Sequence, residues 1–251
     1  MISLKASNWQ INNIETVLFD KDGTFIDLHY FWGKMTELRV KEIIHQFNLN
    51  PNLFNDLCLC LGYDIKTSKM LSDGITAMYS RSKIIEIFKS DLEKYGAEVS
   101  EQELENIFDK VSIEFYKNMH QYTKPINSAI EFIKKLHTKG IKLGIVTSDS
   151  VESTQLTLKY FGWENLFESV IGRESSPHTK ESGEPTKLAI KELHANHQTT
   201  VMIGDAPMDN ISAQNAGINK TILVATGQIE ERELKKVSEF TTKNLDDITI
   251  V

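Results

Sequence analysis

Glu15-Thr16-Val17-Leu18-Phe19-Asp20-Lys21-Asp22-Gly23-Thr24 is the stretch that decides the fold. Its first half is apolar and β-branched without polar alternation, the pattern of a strand covered on both faces. Its second half is a burst of charge followed by Gly, which ends such a strand. Four similar bursts follow: Ile141-Lys142-Leu143-Gly144-Ile145-Val146, Phe167-Glu168-Ser169-Val170-Ile171, Thr199-Thr200-Val201-Met202-Ile203 and Thr221-Ile222-Leu223-Val224. Helical patterns lie between them. Ile126, Ile130, Ile133 and Leu136 share one face, and Gly140 follows as a stop. Val151 to Phe161 and Pro185 to Leu193 read as helices too. Alternating strand and helix predicts an α/β protein, a Rossmann-like parallel sheet with helices on both faces.

Residues 27–120 break this rhythm with long helical stripes and no convincing strand. Leu38, Ile43, Ile44 and Phe47 make one stripe; Ile84, Ile87 and Phe88 make a second. Leu104, Ile107, Phe108, Val111 and Phe115 make a third. The expectation is an α/β core of residues 1–26 and 121–251 with an all-helical cap of residues 27–120 inserted after the first strand. Open α/β sheets place their ligands at the carboxyl ends of their strands, so an insert there can act as a lid.

Composition sets the outer limits. The chain has 251 residues, 40% hydrophobic and 25% charged, enough apolar side chain for a real core. A formal charge of −7 and no long Lys/Arg run argue against nonspecific nucleic-acid binding. No apolar run is long enough to span a membrane, and the first residues do not read as a signal peptide. The only two cysteines, Cys58 and Cys60, exclude a disulfide framework and read as inert thiols in an apolar run. A cytoplasmic protein is the expectation.

The chemistry concentrates at predicted strand ends. Asp20 and Asp22 are two apart, so an extended chain points both the same way. Two close carboxylates can both be charged only near a cation; otherwise one holds a proton. Either state suits a nucleophile paired with an acid/base. Gly23 and Thr24 permit a tight turn whose backbone N–H groups suit phosphate oxygens. The bland alternative is a solvated Asp-Gly turn. Asp205, in Gly204-Asp205-Ala206-Pro207-Met208-Asp209, ends a second buried strand. If the two strands are neighbours, Asp205 faces Asp20, and converging carboxylates call for a hard cation with oxygen ligands, for which Mg²⁺ is the expectation. Asp209 reads as a helix cap, an outer partner or a ligand. Thr147 and Ser148 end a third strand and could reach a phosphate, though Ser148, Asp149 or Ser150 could simply cap the next helix. The polar loop Arg173 to Pro185 supplies cations, and Lys180 is the choice for an anion site, with Lys187 as fallback. His29 and Trp32 could touch substrate or pack beneath the insert.

These residues resemble the motifs of the haloacid dehalogenase-like (HAD) hydrolase superfamily, and within it the phosphoglycolate-phosphatase-like branch. Asp20-Lys21-Asp22-Gly23-Thr24 resembles its first motif, Thr147 the second, the Lys180 loop the third, and Gly204 to Asp209 the fourth. The third departs from the Lys-Pro-x-Pro pattern: with Pro185 aligned, the Lys falls on Ser182, so Lys180 requires a detour that Gly183 could permit. The resemblance implies a Mg²⁺-dependent phosphatase acting on a small phosphorylated metabolite, with no nucleic-acid or membrane partner. Asp20 would be the nucleophile and Asp22 the acid/base, with Thr147 and Lys180 holding the phosphoryl group. Gly23, Thr24 and Ser148 would line the substrate, and Asp20, Asp22, Asp205 and Asp209 the metal. A phosphomutase shares this pattern and differs mainly in its cap. A dehalogenase lacks the acid/base Asp, and Asp22 and Asp205 argue against it. A phospho-accepting receiver domain also gathers Asp, Thr and Lys, but at about half this length and without a helical insert.

Overall fold

The computed structural model describes residues 1–251. Its strands are β1 (Ile2–Lys5), β2 (Gln10–Ile14), β3 (Thr16–Phe19), β4 (Tyr63–Asp64), β5 (Lys69–Met70), β6 (Lys142–Val146), β7 (Ser169–Ile171), β8 (Thr200–Gly204), β9 (Thr221–Val224), β10 (Thr241–Thr242) and β11 (Thr249–Ile250). The helices are α1 (Leu28–Gln46), α2 (Phe54–Cys60), α3 (Ile75–Met78), α4 (Arg81–Lys94), α5 (Glu101–Lys117), α6 (Met119–Tyr122), α7 (Asn127–Thr138), α8 (Val151–Phe161), α9 (Glu184–Glu192), α10 (Pro207–Asn215) and α11 (Glu231–Leu234). The chain divides into two compact units, residues 1–27 with 125–251, and residues 28–124.

In the first unit a six-stranded sheet runs in the order β10-β9-β8-β3-β6-β7, and every pairing in it is parallel. Successive side chains of β3 point to opposite faces, yet Val17, Leu18 and Phe19 are all fully buried, so both faces are covered. Leu18, Val146, Ile171 and Met202 pack with Ala189, Ile190 and Leu193 around α9 and Ala213 of α10. Burying a side chain such as Leu18 stabilises by about 1.5–3 kcal/mol. The five strands read from the sequence are thus the sheet's β3, β6, β7, β8 and β9. A second sheet, β11-β1-β2, is antiparallel. Its Asn-rich strand Gln10-Ile11-Asn12-Asn13-Ile14 buries only Ile11 and Ile14, too sparse a pattern to announce itself.

The second unit is helical, as expected, apart from one small hairpin. Tyr63 pairs with Met70 and Asp64 with Lys69 across β4 and β5. Two-residue strands leave no periodicity to read; the turn is held instead by Asp64, which accepts from Lys66 N–H and Thr67 O–H. The α5 stripe is buried as its pattern foretold, and its start carries a reciprocal Ser100/Glu103 cap. In α1 the buried face is Phe31, Met35, Thr36, Arg39, Val40 and Ile43, rather than Leu38, Ile44 and Phe47. Arg39 explains the rotation: its guanidinium lies 4.2 Å from the Phe108 ring centroid, so a formally polar residue faces inward. In α4, Ile85 and Leu92 join Ile84 and Phe88, and Ile87 is half-buried. His29 Nδ1 accepts from Met70 N–H, and Trp32 packs edge-on against Phe31. Cys58 is buried, and burial pushes its thiol up to about 12, which leaves it unreactive.

The units meet in the chain at 27/28 and 124/125, not at 26/27 and 120/121. The reason is α6: Tyr122 stacks on Phe115 at 5.0 Å and Tyr30 donates to the Gln121 carbonyl, so this short helix packs within the inserted unit. In the first unit, Ile126 N–H donates to Phe25 O at 2.9 Å, closing the two crossing points against each other.

Candidate active site

The strand order reverses at β3, which has β8 on one side and β6 on the other. A crevice forms at the carboxyl ends where such a switch occurs. Phe19 is in register with Ile203 and with Ile145, so the residues that follow all three strands emerge side by side. Asp20 follows β3, Asp205 follows β8 and Thr147 follows β6. Asp20 is anchored by its own N–H, which donates to Ile203 O at 2.8 Å.

Lys180 belongs to this group. It starts a single 3₁₀ turn, Lys180–Ser182, and is buried. Its Nζ lies 2.6 Å from Asp20 Oδ1 and 2.5 Å from Asp209 Oδ1. Gly183 ends the turn at φ +78°, which supplies the detour the sequence required. A Cβ there would also stand 2.6 Å from the backbone of Asn215, whose side chain donates to Glu181 O at 2.7 Å. The loop is thereby docked on α10. Lys187 is exposed and pairs locally with Glu184.

The electrostatics follow from burial. Removal from water pushes the Asp20 carboxyl up to about 7; Lys180 pulls against this, while Asp209 and Asp22 add to it. Asp205 is likewise raised well above the carboxylate range, first by burial and then by Asp20 and Asp209. Burial works against the Lys180 charge, but Asp20 and Asp209 outweigh it and hold the ammonium protonated. The site is therefore a cluster of acids short of positive charge.

Asp205 sits in a tight cradle. A Cβ on Gly227 would lie 1.7 Å from Asp205 Oδ2, and one on Gly23 would lie 2.4 Å from it. Gly23 also has φ +90°, open only to glycine at low cost. Thr226 Oγ1 donates to Gly23 O at 2.5 Å, tying the two glycine segments together.

Other expected residues are placed differently. The N–H of Gly23 donates to Ile26 O and that of Thr24 to Lys21 O, so these amides close the turn rather than face a phosphate. The Thr24 side chain is fully buried and its hydroxyl finds no partner. Ser148 is exposed, and the cap of α8 is Ser150, whose Oγ accepts from Ser153 N–H. Thr147 is buried, and its Oγ1 accepts the Asp149 N–H at 3.1 Å. That leaves the Thr147 O–H to be donated elsewhere. Asp209 Oδ1 meets Lys180 and its Oδ2 accepts the Ala206 N–H at 3.0 Å, so both oxygens are engaged. Asp22 turns its Oδ1 to Lys21. The four aspartates thus do not form one ready-made cage, and no three acidic, imidazole or thiol groups converge at ligating spacing.

The donor set nonetheless fits Mg²⁺. That ion is usually held by one or two carboxylates together with water and substrate phosphate. Asp20 and Asp205 are two buried acids, Asp20 raises the protonation of Asp205, and Gly23 and Gly227 pack closely against the Asp205 carboxylate.

Residues 63–224 match the family model described as haloacid dehalogenase-like hydrolase. A pyrophosphatase PpaX of Halalkalibacterium halodurans is 24% identical over 210 residues, covering 84% of this chain and 83% of that protein. A pyrophosphatase PpaX of Bacillus pumilus is 26% identical over 253 residues, covering 96% and 97%. Among solved structures, a predicted phosphoglycolate phosphatase from Haemophilus somnus superposes with a TM-score of 0.70 at 18% identity, covering 94% of this chain and 97% of that one. A β-phosphoglucomutase from Clostridium difficile gives 0.60 at 16% identity, covering 93% and 92%. The chain belongs to the haloacid dehalogenase-like hydrolases. Within that family, the relatives it resembles are named pyrophosphatase, phosphoglycolate phosphatase and phosphoglucomutase.

The Asp205 cradle yields a direct expectation. Gly227→Ala should displace the Asp205 carboxylate and lower phosphate release about 100-fold, the scale of a 1 Å misplacement. Circular dichroism should show the fold retained. An unchanged rate would mean that Asp205 has no fixed place in the reaction.

No helix is long and apolar enough to cross a membrane.

Proposed function

We propose that this chain is a Mg²⁺-dependent phosphatase that hydrolyses a small phosphate monoester through an aspartyl-phosphate on Asp20. The observation that carries this reading is the buried Asp20 carboxylate at the end of the central strand, gripped through Oδ1 by Lys180. The grip orients the group so that its Oδ2 can attack phosphorus. As the Asp20–phosphorus bond forms, the bond from phosphorus to the leaving oxygen breaks, and Asp22 gives that oxygen a proton. Asp22 then takes a proton from the water that cleaves the acyl phosphate and restores Asp20. Thr147 donates its O–H to the transferring group, and Lys180 offsets its charge. Asp209 positions Lys180 and stands outside the ligand set, consistent with both its oxygens being engaged. Asp20, Asp205 and the backbone carbonyl of Asp22 would hold Mg²⁺, which when bound would supply positive charge to screen phosphate from carboxylate.

The substrate is proposed to be a small monoester of the phosphoglycolate type. The relatives named pyrophosphatase make inorganic pyrophosphate the compound to run beside it. The test is a phosphate-release screen across phosphorylated metabolites, with Mg²⁺ and with EDTA. Multiple turnover is expected, with chelation lowering the rate at least about 100-fold and Mg²⁺ restoring it. EDTA-insensitive release would remove the metal from the reading. An isomerised product without free phosphate would make the protein a mutase. A phosphoenzyme that persists without turnover would make it a switch.

A further inference from the structure

The first motif contains a third charge that the reaction above does not use. Lys21 stands between the two aspartates and is fully buried. A buried ammonium costs several kcal/mol unless it is well paired. Its Nζ lies 2.5 Å from Asp22 Oδ1 and 3.1 Å from Asp149 Oδ2. Asp149 is itself buried; its Oδ1 accepts the Ser150 N–H at 2.8 Å, and its own N–H donates to Thr147 Oγ1 at 3.1 Å. An unbroken chain of contacts therefore runs from Asp22 through Lys21 and Asp149 to Thr147. It joins the end of β3 to the end of β6.

Neutralisation alone would not need this arrangement. An uncharged pair, with Met or Leu at position 21 and Asn at 149, would fill similar space without desolvating an ammonium. What the ion pairs add is direction: Asp22 is held through Oδ1, which leaves its Oδ2 for the proton, and Asp149, whose backbone N–H meets the Thr147 oxygen, is held through its Oδ2. We propose that Lys21 is a positioning residue, whose ammonium sets the orientation of the Asp22 carboxyl group and ties it, through Asp149, to the Thr147 turn. This inference rests on the proposed acid role of Asp22. In the step it serves, Asp20 bonds to phosphorus, the phosphorus–leaving-oxygen bond breaks, and the proton moves from Asp22 to that oxygen.

The effect must depend on how much the leaving group needs a proton. Phenyl phosphate needs one far more than 4-nitrophenyl phosphate does. The experiment measures kcat/KM, which reports the first phosphoryl transfer, for both compounds in wild type, Lys21→Met, Asp149→Asn, the Lys21→Met/Asp149→Asn double variant and Asp22→Asn. Lys21→Met is expected to lose about 100-fold on phenyl phosphate and less than about tenfold on 4-nitrophenyl phosphate. Asp149→Asn should show the same asymmetry more weakly. Equal losses on both compounds, or no loss, would overturn the proposal, because a merely structural residue would not distinguish leaving groups. If Lys21→Met does not fold, the double variant carries the same test, since it strands one acid rather than two. Failure of both to fold would make Lys21 structural and also overturn the proposal. Asp22→Asn separates the two ideas. If it shows no asymmetry, the acid role of Asp22 falls; if it does and Lys21→Met does not, only the Lys21 assignment falls.

Discussion

Asp20→Asn should abolish phosphate release, with a loss of at least about 10⁴-fold in kcat, while the protein still folds. The substitution keeps the shape of the side chain and removes its nucleophilic oxygen. Folding should survive because burial already works against the Asp20 charge, and Lys180 keeps its second partner, Asp209. The thermal midpoint should move by no more than about 5 °C. No phosphoenzyme should be trapped on the variant by acid quench and mass measurement. A near-normal rate would refute the assignment of the nucleophile, and with it the covalent route.

Lys180→Met should be the most damaging change to stability in the site. It leaves Asp20 and Asp209 buried with no cation between them. Breaking a buried pair by deleting one partner costs about 3–5 kcal/mol. Urea unfolding without added metal should show that loss, and phosphate release should fall at least about 100-fold. Lys187→Met is the matched control. Its ammonium is exposed and pairs only with Glu184, three residues earlier. The control should stay within about 0.5 kcal/mol of wild type and keep its activity. A larger effect at Lys187 than at Lys180 would reverse the choice between the two lysines.

The parallel sheet was legible because each central strand announces itself twice. Residues 16–19 and 200–204 are fully buried runs rich in apolar side chains, and each is followed directly by an aspartate at its carboxyl end. Lys180 was legible only as a candidate. Its selection depends on a 3₁₀ turn and a left-handed Gly183, and neither leaves a periodic trace. Alternation did carry a signal that pointed to Lys21: in an extended segment with Asp20 and Asp22 on one side, the residue between them faces the other. A charge sent that way needs an acid, and Asp149 lies two residues beyond Thr147. Gly227 was out of reach because its role is a missing atom beside a residue far away in the chain. The turn amides of Gly23 and Thr24 misled for a related reason. Glycine marks a tight turn, but it does not say which carbonyls the turn will close upon.

One bond of modest size has a wider implication. Ile126 N–H meets Phe25 O at 2.9 Å, so residues 28–124 form a loop whose two ends are already held together by the sheet-bearing unit. The entropy of closing a loop grows only logarithmically, about 0.6 kcal/mol for each doubling of its length. Lengthening, trimming or replacing that whole segment therefore barely taxes the fold that carries Asp20, Thr147, Lys180 and Asp205. Over generations, the gene can revise the inserted segment while Asp20 and Asp205 stay where they are.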